Sequence, residues 1–264
     1  MKSVLSIAGS DSSGGAGIQA DIKTIESLHL FAQTAITALT AQNTLGVASV
    51  AEVAPRFVEE QIDTVFADIR PDAVKIGMVS SAPIAASIAR ALRRAGAGHV
   101  VVDPVMVATS GARLIDEDAV GALTTELFSL ASVITPNIPE AEALLGRSIA
   151  DEEGQEGAAC ALADRFGCAV LVKGGHGLND ANDVLAQPGG GVRWFKAARI
   201  DNPNTHGTGC TLSSAIACGL ACGCSLEESV AAAKSYLTGA LGAGLDLGKG
   251  SGPLDHMWNN RLVG

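Results

Sequence analysis

The 264-residue sequence predicts an α/β fold in which a mostly parallel sheet lies between two layers of helices. Three observations carry that expectation. Short apolar runs alternate with longer stretches of helical period. Glycine-rich segments follow several of those runs. Late in the chain, two runs are joined by a turn sequence instead of a helix. Strands separated by helices pair in parallel and need both faces covered.

Residues 4–8 read as the first strand, leading through a glycine-rich turn into a helix over about 16–28. Residues 32–38 and 47–53, separated by Asn43 and Gly46, break the rhythm and read as strands near one edge. A strand at 73–76 precedes the clearest helix, 81–94, which Gly96 and Gly98 stop. Residues 99–102, 132–135 and 169–172 are further apolar strands. Residues 183–186 and 192–196, joined by Gln187-Pro188-Gly189-Gly190-Gly191, predict an antiparallel hairpin. Residues 198–201 look strand-like, and helices rich in small residues follow at 210–222 and 226–241. No linker, repeat or low-complexity block interrupts the chain, so one domain over 1–264 is expected.

Composition narrows the function. Hydrophobic residues make up 47%, ample for a core and too many for disorder. A net charge of -10 and an aromatic content of 3% disfavour nucleic acid, whose backbone needs a basic face and whose bases need stacking platforms. No run reaches the roughly 18 apolar residues that span a bilayer. The opening apolar run is too short for a signal peptide and soon meets Asp11. A cytoplasmic protein with reduced cysteines is therefore expected. Cys218, Cys222 and Cys224 lack a second pair of metal ligands and read as packing residues.

Four segments at strand ends could carry chemistry. The first, Ser10-Asp11-Ser12-Ser13-Gly14-Gly15-Ala16-Gly17, lets the backbone turn sharply and approach a ligand. It formally matches a dinucleotide fingerprint, but the acidic residue that should follow a second strand is missing. No Walker A sequence is present, so any ATP site is built differently. The second, Asn204-Thr205-His206-Gly207-Thr208-Gly209-Cys210, opens a long helix. Free N–H groups there would form an anion site suited to phosphoryl transfer, although a plain glycine-rich helix start fits the same pattern. Cys210 sits where a helix terminus stabilises a thiolate, so it could take a proton or orient an alcohol; packing is the plainer role. His206 is read as loop structure only.

The third segment, Thr135-Pro136-Asn137-Ile138-Pro139-Glu140, places an amide and a carboxylate three residues apart at a helix start. That pair suits Mg²⁺, and it equally suits a helix cap. The fourth comprises Lys173-Gly174-Gly175-His176 and Asp103-Pro104-Val105-Met106-Val107, each ending a strand, where α/β sheets bind ligands. Lys173 could meet a phosphate as a point charge.

Residues 9–21 (Gly9-Ser10-Asp11-Ser12-Ser13-Gly14-Gly15-Ala16-Gly17-Ile18-Gln19-Ala20-Asp21), together with Thr40-Ala41-Gln42-Asn43-Thr44, Asp103–Val107, Lys173–His176 and Asn204–Cys210, resemble the hydroxymethylpyrimidine kinases of the ribokinase superfamily, over nearly the whole chain and in order. The resemblance implies a ribokinase-like αβα sandwich, and an enzyme that moves the ATP γ-phosphoryl to 4-amino-5-hydroxymethyl-2-methylpyrimidine and then to its monophosphate in thiamine biosynthesis. It implies Mg²⁺ near Asn137 and Glu140. It makes Gly207, Thr208 and Gly209 an anion hole, with Cys210 at the superfamily's catalytic aspartate position. It gives Lys173 the neutralisation of phosphate charge and Asp103 an orienting role. Gln42 would bind the pyrimidine, with Asp21, Gly9, Met78 and Val105 nearby. A homodimer is expected, and no fused second enzyme. Ala112, in Ser110-Gly111-Ala112-Arg113, departs from the commoner polar residue. Some pyridoxine kinases of this type share a cysteine at the position of Cys210, and a pyridoxine or pyridoxal kinase of the same fold is the nearest alternative. A non-catalytic nucleotide-binding regulator is a more distant one.

Overall fold

The structure is a computed structural model that describes residues 1–106, 117–175 and 180–260. Val107, Ala112, Arg113 and His176 lie outside the described residues. The described strands are β1 (Ser3–Asp11), β2 (Phe31–Asn43), β3 (Gly46–Glu52), β4 (Ala73–Ile76), β5 (Val100–Val102), β6 (Val133–Ile134), β7 (Ala169–Val172), β8 (Asp183–Ala186) and β9 (Val192–Phe195). They form one sheet in the order β3-β2-β1-β4-β5-β6-β7-β8-β9. Pairing is parallel from β2 to β7 and antiparallel at β2/β3, β7/β8 and β8/β9. The predicted sheet, its outer pair and its hairpin are all there.

Alternation of side chains divides the core. Leu5, Ile7, Val74, Ile76, Val102, Ile134 and Val170 face one side, under α2 (Pro55–Ala67), α3 (Ala82–Ala95), α5 (Ile138–Leu145) and α6 (Glu152–Phe166). Val4, Ala73, Val101, Val133 and Leu171 face the other, under α1 (Gly17–Ser27), α7 (Thr208–Ala221) and α8 (Leu226–Gly242). A short helix α4 (Glu117–Ala122) continues into irregular turns before β6. Small residues on α7 and α8 let these helices pack closely: a Cβ on Gly219 would come within 2.6 Å of Ser229 Oγ.

The strand expected at 198–201 does not form. Those residues run as an irregular segment without ladder partners, because β9 is the last strand of the sheet among the described residues. The final described segment returns across the α1/α7/α8 layer. Gly252 accepts from the His206 N–H at 3.2 Å and donates to Asn204 Oδ1 at 2.8 Å. The buried His256 ring lies 3.0 Å from Thr211 in the first turn of α7. The start of α7 is thus tied to the far end of the chain.

Candidate active site

From β1 the chain passes through α1 to β2 on one side, and later enters β4 on the other side of β1. At such a reversal the loops after neighbouring strands part and leave a crevice at the carboxyl ends. A cavity of about 1220 Å³ opens there. Gly9 near the end of β1, Gln42 on β2, Met78 after β4 and Val105 after β5 line it. So do Asp103, Lys173, Asn137, Glu140 and the run from Gly207 to Cys210. Every sequence-predicted site residue except Asp21 shares this one space.

The start of α7 is open. Gly207 stands at its N-cap with φ 87°, and a Cβ there would lie 2.0 Å from Gly15 O, so only glycine fits both the turn and the approach. No side chain caps this helix. Its first-turn N–H groups therefore border the cavity with the positive end of the helix dipole. A Cβ on Gly209 would sit 3.1 Å from Asp103 Oδ2 and 3.4 Å from Lys173 Nζ, which places that ion pair against the same helix end.

Lys173 Nζ donates to Asp103 Oδ1 at 2.8 Å, and Thr135 Oγ1 donates to the same oxygen at 2.9 Å. Burial opposes ionisation of Asp103, but Lys173 and the more distant Lys75 hold it below the usual carboxylate range. Glu140 differs. Burial pushes it up to about 7, with Lys173 opposing and Asp103 adding to the shift. Asn137 and Glu140 do form a capping box: Asn137 Oδ1 accepts from the Glu140 N–H, and Glu140 Oε2 accepts from the Asn137 N–H, both at 2.8 Å. The cap and the position on the cavity wall therefore coexist.

Two expectations are corrected. Asp21 does not reach the cavity. It lies on the inward face of α1 with Ile18 and Ile25, fully buried, and its two oxygens accept from Lys75 Nζ at 2.9 and 2.8 Å. Ser6 and Ser214 donate to it at 2.5 and 2.8 Å. Cys210 is not an activated thiolate. Burial against the sheet pushes it up to about 11, and neither Lys75 nor the Gly17 N–H aimed at its sulfur offsets that, while Asp21 and Asp103 add to it. Desolvation here outweighs the helix terminus.

Sequence reasoning passed over three residues. Lys75 is fully buried in β4 beneath the site; a charged residue inside an otherwise apolar strand was its signal. Lys234, on the inward face of α8, lines the cavity and donates to Asp183 Oδ2 at 2.6 Å. His206, read as loop structure, borders the cavity with Nε2 2.8 Å from Asp11 Oδ2 and 3.3 Å from Gln42 Nε2. Asp11 also accepts from the N–H groups of Ser13, Gly15 and Ala16 and from the Ser13 hydroxyl. Burial opposes its ionisation, yet these bonds hold it well below the usual carboxylate range.

Comparison with known proteins identifies the family and the fold. The family profile described as phosphomethylpyrimidine kinase matches residues 11–255. The hydroxymethylpyrimidine/phosphomethylpyrimidine kinase of Rhizobium meliloti is 51% identical over 255 residues, 96% of each chain. A thiamine biosynthesis bifunctional protein of Geobacter sulfurreducens is also 51% identical, over 97% of this chain but only 52% of its own length. The crystal structure of a phosphomethylpyrimidine kinase from Clostridium difficile superposes with a TM-score of 0.81 at 42% identity, covering 90% of this chain and 98% of that one. A pyridoxal kinase from Staphylococcus aureus, in complex with AMP-PCP and pyridoxal, gives a TM-score of 0.89 at 32% identity over 99% and 96%. The fold is the ribokinase-like sandwich, and the chain belongs to the phosphomethylpyrimidine kinase family.

Proposed function

We propose that this chain, working as one catalytic domain, transfers the ATP γ-phosphoryl to 4-amino-5-hydroxymethyl-2-methylpyrimidine and then to the resulting monophosphate, in the cytoplasm, for thiamine biosynthesis. The observation that carries the reading is that one cavity joins an uncapped helix start and Lys173 to the amide of Gln42. The first pair suits phosphates; the amide both donates and accepts, as an aminopyrimidine edge requires. The substrate hydroxyl oxygen bonds to the γ-phosphorus as the bond to the ADP oxygen breaks. The N–H groups of Gly207, Gly209 and Cys210 and the Lys173 ammonium take up the developing charge, while the Thr208 N–H, bonded to Thr205 O, holds the turn. The fraction of Cys210 present as thiolate accepts the hydroxyl proton. Gly9, Met78 and Val105 shape the wall around the ring, and Asp103 orients Lys173.

Mg²⁺ fits the residues present. Glu140 is a buried carboxylate, and Lys173, whose charge acts on it, is already bonded to Asp103, so a further cation beside it would relieve its raised pKa. Glu140, with Asn137, would hold the ion through water, which matches how Mg²⁺ binds with few protein ligands. Bound there, the ion would neutralise phosphate charge. Glu140→Gln should slow turnover and raise several-fold the Mg²⁺ concentration giving half-maximal ADP release. An unchanged Mg²⁺ requirement would reduce the pair to a helix cap.

The outer strands support a homodimer. β3 is an edge strand, and Leu39, Leu45, Val50 and Phe57 are exposed around it, a pattern that invites pairing. Light scattering should report twice the chain mass; a monomer at micromolar concentration contradicts this. Pyridoxal remains the second candidate substrate, since a pyridoxal kinase shares the fold at a TM-score of 0.89.

A further inference from the structure

Gln42 is held in a chemically selective frame. Its main chain is fixed, since Ser12 Oγ accepts from the Gln42 N–H and donates to the Gln42 carbonyl, both at 2.8 Å. Its side-chain amide lies between Thr40 Oγ1, at 3.1 Å from Oε1, and His206 Nε2, at 3.3 Å from Nε2. The two ends of an amide exchange by a half-turn, and the neighbours decide which end goes where.

Both neighbours favour the turned amide. Asp11 is an anion gathering four other donors, so the His206 Nε2 lying 2.8 Å from Asp11 Oδ2 must carry a proton and donate it. An amide N–H₂ facing that N–H would put donor against donor. At the other end, the Thr40 hydroxyl has one proton, and it goes to Ser10 O at 2.8 Å. What it offers Gln42 is a lone pair, which calls for an N–H. Turning the amide satisfies both contacts: Oε1 shares the His206 proton with Asp11, and Nε2 donates to Thr40.

We propose that His206, with its proton set by Asp11, is a specificity-determining residue that fixes the orientation of the Gln42 amide. This rests on the reading that Gln42 meets the substrate's ring edge. In the turned orientation one N–H remains free on the Thr40 side and one lone pair on the His206 side. A ligand must then place its acceptor toward Thr40 and its donor toward His206. An aminopyrimidine, with a ring nitrogen beside an amino group, offers one such order. Its 4-oxo analogue, with a ring N–H beside a carbonyl, offers the reverse.

The test is the ratio of kcat/KM for 4-amino-5-hydroxymethyl-2-methylpyrimidine to that for its 4-oxo analogue. In His206→Leu the amide is free to turn, and the preference for the amino compound should fall by about tenfold, the weight of one hydrogen bond. His206→Gln, which restores an N–H at that reach, should recover it. A preference unchanged in His206→Leu overturns the proposal. Gln42→Leu separates the two levels. If it erases the preference while His206→Leu does not, only the orienting role fails. If Gln42→Leu also leaves the preference intact, the edge reading fails and takes this proposal with it. Should His206→Leu not fold, ¹⁵N spectra of the histidine-labelled wild type give the answer. A proton on His206 Nε2 supports the proposal, and a bare Nε2 overturns it.

Discussion

Lys75→Met should destabilise the protein by about 3–5 kcal/mol in urea unfolding, because it strands the Asp21 carboxylate in a dry interior. Lys75 and Asp21 are both fully buried, and among the described residues no other cation bonds to that carboxylate. Burial would drive the lysine toward neutrality, but the Asp21 charge more than offsets it and holds the ammonium. Replacing both, as Lys75→Met/Asp21→Leu, should recover part of the loss, since no lone buried charge remains. Recovery should be incomplete, because the Ser6 and Ser214 hydroxyls would each lose an acceptor. A double variant less stable than Lys75→Met would show that the pair is not the unit that matters. Ser214 lies one turn after Cys210 on α7, so this pair also seats the helix start that borders the cavity.

Cys210→Ala should lose more activity the higher the pH. A base at about 11 is almost wholly protonated at pH 7, and its reactive fraction grows about tenfold per pH unit up to that value. Turnover of the native enzyme should therefore rise with pH from 7 to 9, while Cys210→Ala stays flat. The ratio between them should widen about a hundredfold across that range, until another step limits the rate. Cys210→Asp, whose carboxylate ionises at a lower pH than the thiol, should depend less steeply on pH over that range. Alkylation of Cys210 by iodoacetamide, followed peptide by peptide, should follow the same rise and be slowed by the pyrimidine. A constant ratio across pH would remove Cys210 from proton transfer and leave the anion hole to carry the reaction.

The strands legible in the sequence were those whose every residue is buried and whose ends are marked by breakers. β4, β7 and β8 occupy the expected residues for that reason. β2 runs on to Asn43 because β3 folds back on it, and that pairing is written in no local pattern. Gln42 belongs to this extension, so its place was known from motif and not from periodicity. The glycine-rich segments announced the cavity because they follow strands. Asp21 was misplaced because it sits in the same motif, although its helical phase with Ile18 and Ile25 turns it inward. The pKa of Cys210 depends on the sheet, α1 and Asp103, all far from it in sequence. His206 required the approach of Asp11 across 195 residues.

Coupled ADP release with the pyrimidine and with pyridoxal, under saturating ATP and Mg²⁺, bears most directly on the central claim. The account predicts a higher kcat/KM for 4-amino-5-hydroxymethyl-2-methylpyrimidine. With excess ATP it also predicts ADP accumulating beyond one equivalent per pyrimidine, as the monophosphate is phosphorylated in turn. Higher kcat/KM for pyridoxal, or no ADP release with either alcohol, would contradict it.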